Sequence, residues 1–378
     1  MRRSLSHVGF VGLSLVICFA LIDSGTVAWA SPAAAANLAS ATRPSREAAR
    51  DAVIAGPCTG IASAAITHVI VLVEENKSEP IIKKASMPYL GSLATKCGLA
   101  TNGHNITHPS TGNYLGLVSG QVQGGAWSND GDPGDYPQSQ ESLFHQLDSA
   151  GQSWGVYAQS MPTNCDRNNS GSYYVRHTAA PYFNDVNGIG GPDNSCATND
   201  VPLGDPVAGA GNNFYSALYE RGGAELPAFS LVAPDVCHDL HGKSRTCSGS
   251  QLSTNADQFL QIWVDLIVNS PNYVAGNTAL IVTWDEGSGP DETSPEACWA
   301  ETAPGKKGGG KQSCWIATLV VSARTPAAAR SATAYNHYDL LAAIETLLGV
   351  PILPNNPSIS GSPNGSASTL LSDFGLKS

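Results

Sequence analysis

Short apolar runs alternate with amphipathic segments along most of this chain. The runs are rich in Val, Ile and Leu and are short enough to be strands that are buried on both faces of a sheet. They predict strands at 68–73, 154–158, 229–234, 278–284 and 316–321, and the amphipathic segments predict helices at 140–150, 257–268 and 338–348. This alternation indicates an α/β fold, with a mostly parallel central sheet covered by helices on both faces in a three-layer sandwich.

Polar side chains that can bind metals or move protons follow three of the predicted strands. Because parallel strands end at the same edge of a sheet, where ligands bind, these side chains are expected to share one site. Taken singly, each group is also consistent with a solvated loop. The residues are Glu75, Asn76, Asp235, His238, Asp239, His241, Asp285 and Glu286.

Ser110 follows a proline and precedes an apolar run, 114–118, that predicts the first turns of a helix. The free N–H groups and the positive dipole at a helix N-terminus stabilise a bound phosphate, so a hydroxyl there can serve as a nucleophile. The alternative is that Ser110 or Thr111 only caps the helix.

The carboxylates at the strand ends are oxygen ligands that suit Mg²⁺, Ca²⁺ or Mn²⁺, whereas Zn²⁺ would be expected to recruit imidazoles. A metal ion that contacts Ser110 would lower the pKa of its hydroxyl and favour attack on phosphorus. The groups available to neutralise phosphoryl oxygens are Asn76, Asn113, His177, His241 and His337.

The first 30 residues have the features of a secretory signal peptide. Two arginines precede an apolar stretch from Val8 to Ile22, and the segment ends in an A-x-A cleavage pattern at Ala30. The stretch is short for a membrane-spanning helix, so a retained anchor is the lesser alternative. We therefore predict an extracellular protein with no stable membrane anchor. Its predicted segments are a signal peptide (1–30), a flexible Ala-rich lead-in (31–60), a catalytic domain (61–355) and a flexible tail (356–378).

Composition limits the classes of binding partner and the cellular compartments that are compatible with this sequence. The chain has 378 residues and a formal net charge of −11, which becomes −12 when the signal peptide is removed. An acidic protein has no general attraction to nucleic acid, so an anionic substrate must be held by local groups. Eight of the nine cysteines remain after Cys18 leaves, which favours up to four disulfides, with Cys237–Cys247 and Cys298–Cys314 the simplest local pairs.

Six ordered motifs between His68 and Pro351 resemble the bacterial phosphoesterase family of secreted acid phosphatases and phospholipases C, within the alkaline-phosphatase-like superfamily. They are Glu75-Asn76-Lys77-Ser78, His108-Pro109-Ser110 with Asn113-Tyr114-Leu115, Arg176-His177, the stretch 234–241, Thr283-Trp284-Asp285-Glu286 and Asn336-His337-Tyr338. The resemblance implies an alkaline-phosphatase-like fold and a metal-activated serine nucleophile. It implies catalytic Ser110, His241 and His337, substrate-binding Asn113, His177 and Asp239, and a metal shell of Glu75, Asn76, Asp285 and Glu286.

The predicted function is a secreted acid phosphatase that hydrolyses small-molecule or lipid phosphate monoesters, including phosphoinositides, through a phosphoserine intermediate. A phospholipase C-type phosphodiesterase is the nearest alternative, and a non-catalytic exported calcium-binding module is an alternative of another class. The chain departs from the family pattern at Gly112, where a proline is common, and at Ala256, where a glycine is common. The natural substrate, the native metal and the oligomeric state stay open.

Overall fold

The computed structural model describes residues 56–189, 192–243, 247–291, 298–359 and 366–377. The predicted signal peptide and all but the last few residues of the predicted lead-in lie outside these ranges. No helix within the ranges combines the length and the apolar character that a bilayer crossing needs.

The described strands form one mixed sheet in the order β4-β3-β5-β1-β6-β7-β2-β8, and β9 also pairs with β2. They are β1 (His68–Glu74), β2 (Gly98–His104), β3 (Trp154–Ala158), β4 (Asp200–Pro202), β5 (Phe229–Ala233), β6 (Thr278–Trp284), β7 (Trp315–Val321), β8 (Arg330–Ser331) and β9 (Tyr335–Asn336). Every described pairing is parallel except those of β7 with β6 and with β2. The prediction of an α/β fold with a mostly parallel sheet is therefore confirmed.

The described helices are α1 (Pro88–Lys96), α2 (Ser110–Ser119), α3 (Leu143–Ser149), α4 (Cys196–Asn199), α5 (Asn213–Tyr219), α6 (Gln251–Val268), α7 (Pro271–Val274), α8 (Gly305–Gly308), α9 (His337–Leu348) and α10 (Ala367–Asp373). Short 3₁₀ segments lie at Glu79–Lys83, Gly124–Trp127, Val175–His177, Ala180–Tyr182, Glu220–Gly223, Gln312–Cys314 and Pro357–Ile359. Two of these helices, α2 and α9, begin at predicted catalytic residues.

Successive side chains of β1 enter two different hydrophobic clusters. Val69 and Val71 pack into a cluster that contains apolar side chains of α2, α3, α9 and α10. Ile70 and Leu72 pack into a second cluster that contains side chains of α1, α5 and α6. A strand buried on both faces needs apolar residues at every position, which explains the continuous run in the sequence. Each such side chain contributes about 1.5–3 kcal/mol when it is removed from water.

The predicted flexible tail, 356–378, contains an ordered helix. Within α10, Leu370 and Leu371 are buried in the first cluster. The Asp373 carboxylate, at the end of this helix, accepts hydrogen bonds from Ser331 Oγ (2.5 Å) and Tyr335 OH (2.7 Å). The preceding residues are rich in Ser, Gly and Pro, which are typical of flexible segments, so the sequence did not predict this short helix. The end of the lead-in is likewise fixed, because Cys58 forms a disulfide.

Four disulfides pair all eight cysteines outside the signal segment. Cys237–Cys247 and Cys298–Cys314 confirm the two predicted local pairs. The other two bridges, Cys58–Cys97 and Cys165–Cys196, connect residues 39 and 31 positions apart. Paired cysteines offer no thiolate, so zinc binding by these sulfur atoms is excluded.

The start of α2 is tightly packed around Gly112. Pro109 occupies the N-cap position and Ser110 is the first helical residue, so the alternative in which Ser110 or Thr111 only caps the helix was wrong. A Cβ atom at Gly112 would lie 2.5 Å from Thr107 Cγ2 and 2.9 Å from the Ala126 carbonyl oxygen. Gly112, where the resemblance implies a common proline, therefore lies at a contact that has no room for a side chain.

We expect Gly112→Ala to lower the free energy of unfolding. Alanine improves helix propensity by about 1 kcal/mol. Overpacking against a backbone oxygen costs about 1–3 kcal/mol, so the clash should dominate. Urea unfolding followed by circular dichroism measures the difference. Gly134→Ala is the matched control, because a Cβ there meets nothing within 4 Å. Equal midpoints for the two variants would contradict the packing argument.

Candidate active site

The carboxyl ends of three adjacent parallel strands bring the predicted acidic residues together. β5, β1 and β6 are neighbours in the sheet. The Glu75 backbone N–H donates to the Asp239 carbonyl oxygen at 2.7 Å, and the Asp285 N–H donates to the Glu74 carbonyl oxygen at 2.9 Å. These bonds continue the ladder beyond the strands, so Glu75, Asp239 and Asp285 lie at one edge as the sequence analysis expected.

Ser110 lies directly against this acidic edge. Its Oγ donates a hydrogen bond to Glu75 Oε2 at 3.1 Å, and Asn76 Nδ2 donates to the same oxygen at 2.7 Å. The Asn76 backbone N–H donates to Asp285 Oδ1 at 3.0 Å from a left-handed conformation, with φ of 49°. Asparagine tolerates this conformation better than most residues. Ser110, Glu75, Asn76 and Asp285 therefore form one connected set.

Three buried carboxylate oxygens at this edge of the sheet accept no hydrogen bond. They are Glu75 Oε1, Asp239 Oδ2 and Asp285 Oδ2. Burial, followed by the charge of Glu75, raises the pKa values of Asp239 and Asp285 well above their usual range. Buried carboxylates are stabilised when they are paired or coordinate a metal. The three orphaned oxygens fit a divalent cation that is bound by oxygen ligands.

Glu286 is oriented differently from the other predicted metal ligands. Its Oε2 lies 2.5 Å from Nδ1 of the buried His108, in the loop just before Ser110. The pair links the end of β6 to the loop before Ser110. His108 belongs to the sequence motif but received no role there, because a contact across 178 positions leaves no local signal. The place of Glu286 in a metal shell stays a prediction.

His177 lies between two carboxylates. Its Nε2 is 3.1 Å from Glu75 Oε1 and its Nδ1 is 3.2 Å from Asp239 Oδ2. The contact between His177 Nε2 and Glu75 Oε1 is not aligned as a hydrogen bond, and both atoms are buried without a hydrogen-bond partner. The ring stacks on Tyr114, with centroids 5.2 Å apart. Burial lowers the pKa of His177 to about 3, so the imidazole is neutral at physiological pH.

His241 is held by an arginine that the sequence analysis left without a role. Arg176 Nη2 donates to His241 Nε2 at 3.2 Å. Because arginine can only donate, that nitrogen is unprotonated, and Nδ1 donates to the Gly242 carbonyl oxygen at 2.8 Å. The His241 backbone N–H donates to Asp239 Oδ1 at 2.7 Å. Arg176 also lies 4.4 Å above the Tyr174 ring.

His337 begins α9 and faces the same edge. Its Nε2 donates to the Asp285 carbonyl oxygen at 2.8 Å, and burial lowers the pKa of the ring to about 4. The helix starts in a capping box, in which Asn336 and Asp339 satisfy each other's backbone N–H groups. The cap fixes His337 against Asp285.

Asn113 binds the backbone of its own loop. Its Oδ1 accepts from the N–H groups of Ile106 (2.9 Å) and Thr107 (3.2 Å), and its Nδ2 donates to the Thr107 carbonyl oxygen (3.0 Å). Its side chain is therefore engaged in shaping the loop that carries Ser110. Contact with a phosphate stays a prediction for Asn113.

Asp235 and His238 form a separate pair at this end of the sheet. His238 Nδ1 lies 2.8 Å from Asp235 Oδ1, and Ser160 Oγ donates to Asp235 Oδ2 at 2.6 Å. Asp235 Oδ1 also accepts from the Cys237 backbone N–H at 3.0 Å. These bonds shape the turn after β5 and leave Asp239 and His241 as its contribution to the site.

Comparison with a known fold supports the architecture. A protein in the alkaline phosphatase superfamily from Vibrio parahaemolyticus matches with a TM-score of 0.52 at 12% identity, over 82% of this chain and 72% of that protein. At this identity the match shows the fold alone, and that fold is the alkaline-phosphatase-like one expected from the sequence.

Sequence comparisons identify the family. A phosphatidylinositol-3-phosphatase of Mycobacterium tuberculosis is 25% identical over 78% of this chain and 82% of that protein. An acid phosphatase of Aspergillus fumigatus is 24% identical over 51% of this chain, but over only 39% of its own length. The model of the phosphoesterase family matches residues 81–351, which is more than half of the chain. The chain therefore belongs to the phosphoesterase family.

Proposed function

We propose that this protein is a secreted, metal-dependent acid phosphatase that uses Ser110 as its nucleophile. The observation that carries the proposal is the contact of Ser110 Oγ with Glu75 Oε2, at the start of α2 and beside orphaned carboxylate oxygens. The names of the two relatives, a phosphatidylinositol-3-phosphatase and an acid phosphatase, favour phosphate monoesters as substrates.

In the proposed reaction, Ser110 Oγ bonds to phosphorus while the ester oxygen leaves, which gives a phosphoserine that water then hydrolyses. The hydroxyl points its proton at Glu75 Oε2, so this carboxylate orients the attacking oxygen. His177, Asp239 and Asn113 are the proposed substrate contacts. His241 and His337 are the proposed groups for phosphoryl oxygens and the leaving group. In each ring one nitrogen already contacts a backbone carbonyl oxygen, that of Gly242 or of Asp285, so the proposed contact with substrate requires that bond to be exchanged.

Glu75, Asn76, Asp285 and Glu286 are the proposed metal shell. A divalent cation there would lower the pKa of the serine hydroxyl and neutralise phosphoryl oxygens. Oxygen donors favour Mg²⁺, Ca²⁺ or Mn²⁺, with Zn²⁺ as the other option. The orphaned oxygens of Glu75 and Asp285 support this assignment.

Secretion and the layered architecture belong to the same proposal. The predicted signal peptide and the four disulfides favour an oxidising, extracellular location. The two hydrophobic clusters reached by alternate residues of β1 support a three-layer sandwich.

Ser110→Ala should abolish hydrolysis of p-nitrophenyl phosphate and leave the folded structure intact. Ser110 Oγ donates to the Glu75 carboxylate and also interacts with Asp285, so its loss should cost about 1–3 kcal/mol of stability. Steady-state kinetics and thermal unfolding measure the two effects. Ser149→Ala, at an exposed position of α3, is the control and should keep full activity. Retained hydrolysis by folded Ser110→Ala would remove the nucleophile assignment.

Asp285→Asn should separate metal binding from folding. Without a cation, the variant should be at least as stable as the wild type, because a buried carboxylate that Glu75 and Glu286 repel is neutralised. It should lose the stabilisation that added Mg²⁺, Ca²⁺ or Mn²⁺ gives the chelator-treated wild type, about 2.7 kcal/mol at a hundredfold excess over Kd. Activity should fall at least about 100-fold.

The same titration tests the calcium-binding alternative. A wild type that is stabilised by Ca²⁺ but hydrolyses no phosphate ester with Mg²⁺, Ca²⁺, Mn²⁺ or Zn²⁺ would favour the non-catalytic module. Unchanged cation stabilisation in Asp285→Asn would place the metal elsewhere.

A substrate panel separates the monoesterase from the phospholipase C alternative. We expect p-nitrophenyl phosphate and phosphatidylinositol 3-phosphate to be hydrolysed faster than phosphatidylcholine, with the highest rate at acidic pH. Phosphate release and diacylglycerol release, measured between pH 4 and 9, report the two reactions. Faster release of diacylglycerol from phosphatidylcholine would identify the diesterase.

A further inference from the structure

An aspartate outside all the sequence motifs binds the first turn of the nucleophile helix. Asp130 Oδ1 accepts hydrogen bonds from the backbone N–H of Thr111 at 3.0 Å and from its Oγ1 at 2.8 Å. Thr111 is the residue after Ser110. A carboxylate at a helix N-terminus is stabilised by the free N–H groups and the dipole. Asp130 thus accepts from a backbone N–H at the helix N-terminus, where the sequence predicts a bound phosphate.

The second oxygen of the same carboxylate faces the arginine that holds His241. Asp130 Oδ2 lies 3.4 Å from Arg176 Nε, which has no aligned hydrogen bond although it is buried. The Arg176 side chain is 13% exposed and the Asp130 side chain is 35% exposed. Burial alone would lower the pKa of Arg176, but the charges of Asp130 and Glu75 raise it. Arg176 is therefore a permanent cation beside the site.

These contacts give Asp130 two effects on one side of the proposed phosphate pocket. It binds the helical turn that carries Ser110. It also pairs its negative charge with Arg176, which would otherwise be available to pair with the negative charge of a phosphate. Arg176 in turn binds His241, whose backbone N–H is bound to Asp239. The polar chain therefore runs from the first turn of α2 through Asp130, Arg176 and His241 to Asp239.

We infer that Asp130 is a positioning residue that competes with phosphate for Arg176 and thereby weakens product binding. This inference rests on the proposed phosphatase function. A phosphate that enters the pocket must share Arg176 with the Asp130 carboxylate, which is bound to the helix. The affinity of the pocket for phosphate is therefore lower than it would be if Arg176 were unpaired. Weaker binding of inorganic phosphate favours release of the product.

Asp130→Asn isolates the charge from the helix contact. Asparagine keeps an oxygen that can accept from Thr111, whereas it loses the charge that faces Arg176. A partly exposed ion pair of this kind predicts a two- to fivefold decrease in the inhibition constant of inorganic phosphate against p-nitrophenyl phosphate, with KM falling in parallel. Asp135→Asn removes an exposed charge from the same loop and should leave that constant unchanged.

The double variant tests the route through the arginine. In an Arg176→Gln background, Asp130→Asn should lower the phosphate inhibition constant less than it does in the wild type. An unchanged or higher constant in folded Asp130→Asn would overturn the inference, and so would an equal decrease in both backgrounds.

Arg176→Gln alone provides a second measurement if Asp130→Asn does not fold. It should raise the phosphate inhibition constant, and no increase would overturn the inference. Failure of the proposed function looks different, because the wild type itself would then hydrolyse no phosphate ester.

Discussion

The burial of several carboxylates at the end of three adjacent strands is the constraint on which the rest of the site depends. Glu75, Asp239 and Asp285 are almost fully buried, and the pKa values of the last two are raised by burial and by the charge of Glu75. Removing such charges from water costs several kcal/mol each unless they are paired or neutralised. A sheet edge built only for stability would carry apolar or hydrogen-bonded groups here. The arrangement therefore demands protonation or a cation.

The surrounding elements hold Ser110, the proposed nucleophile, against this edge. Asn113 fixes the loop before α2, the His108–Glu286 pair connects that loop to β6, and Asp130 binds the first turn of the helix. The tight contact at Gly112 sets how closely the helix approaches its neighbours. Sites need their reactive groups held by neighbours that are themselves locked by packing and hydrogen bonds. The contacts of Asn113, of the His108–Glu286 pair and of Asp130 hold Ser110 in this way.

The sequence was sufficient for five of the nine described strands, β1, β3, β5, β6 and β7, and for the edge at which the site lies. It did not predict β2, which lacks a continuous apolar run, or the short strands β4, β8 and β9. Continuous apolar runs identify strands that are buried on both faces, and parallel order then places Glu75, Asp239 and Asp285 together. The antiparallel direction of β7 was not predictable, because an apolar run carries no information on direction.

Contacts between distant segments were hidden for another physical reason. Arg176 meets His241 across 65 positions, and Asp130 meets Thr111 across 19, in a loop whose Gly- and Asp-rich composition reads as solvated surface. Such side chains acquire their surroundings only when the chain folds. The helix α10 was missed because its apolar residues are few and follow a Ser- and Gly-rich stretch.

Charge balance links the proposed metal to the proposed substrate. The histidines at 177 and 337 are neutral because burial lowers their pKa values, so Arg176 is the one permanent cation among the site residues described above. A phosphate dianion that approaches ionised Glu75, Asp239 and Asp285 would meet a net negative site. A divalent cation, or protonation of Asp239 and Asp285 as pH falls, reduces that repulsion. Each effect would reduce the repulsion, but the two compete at Asp285, because a carboxylate must be deprotonated to bind a metal. The proposed metal would therefore assist phosphate binding only while Asp285 stays ionised.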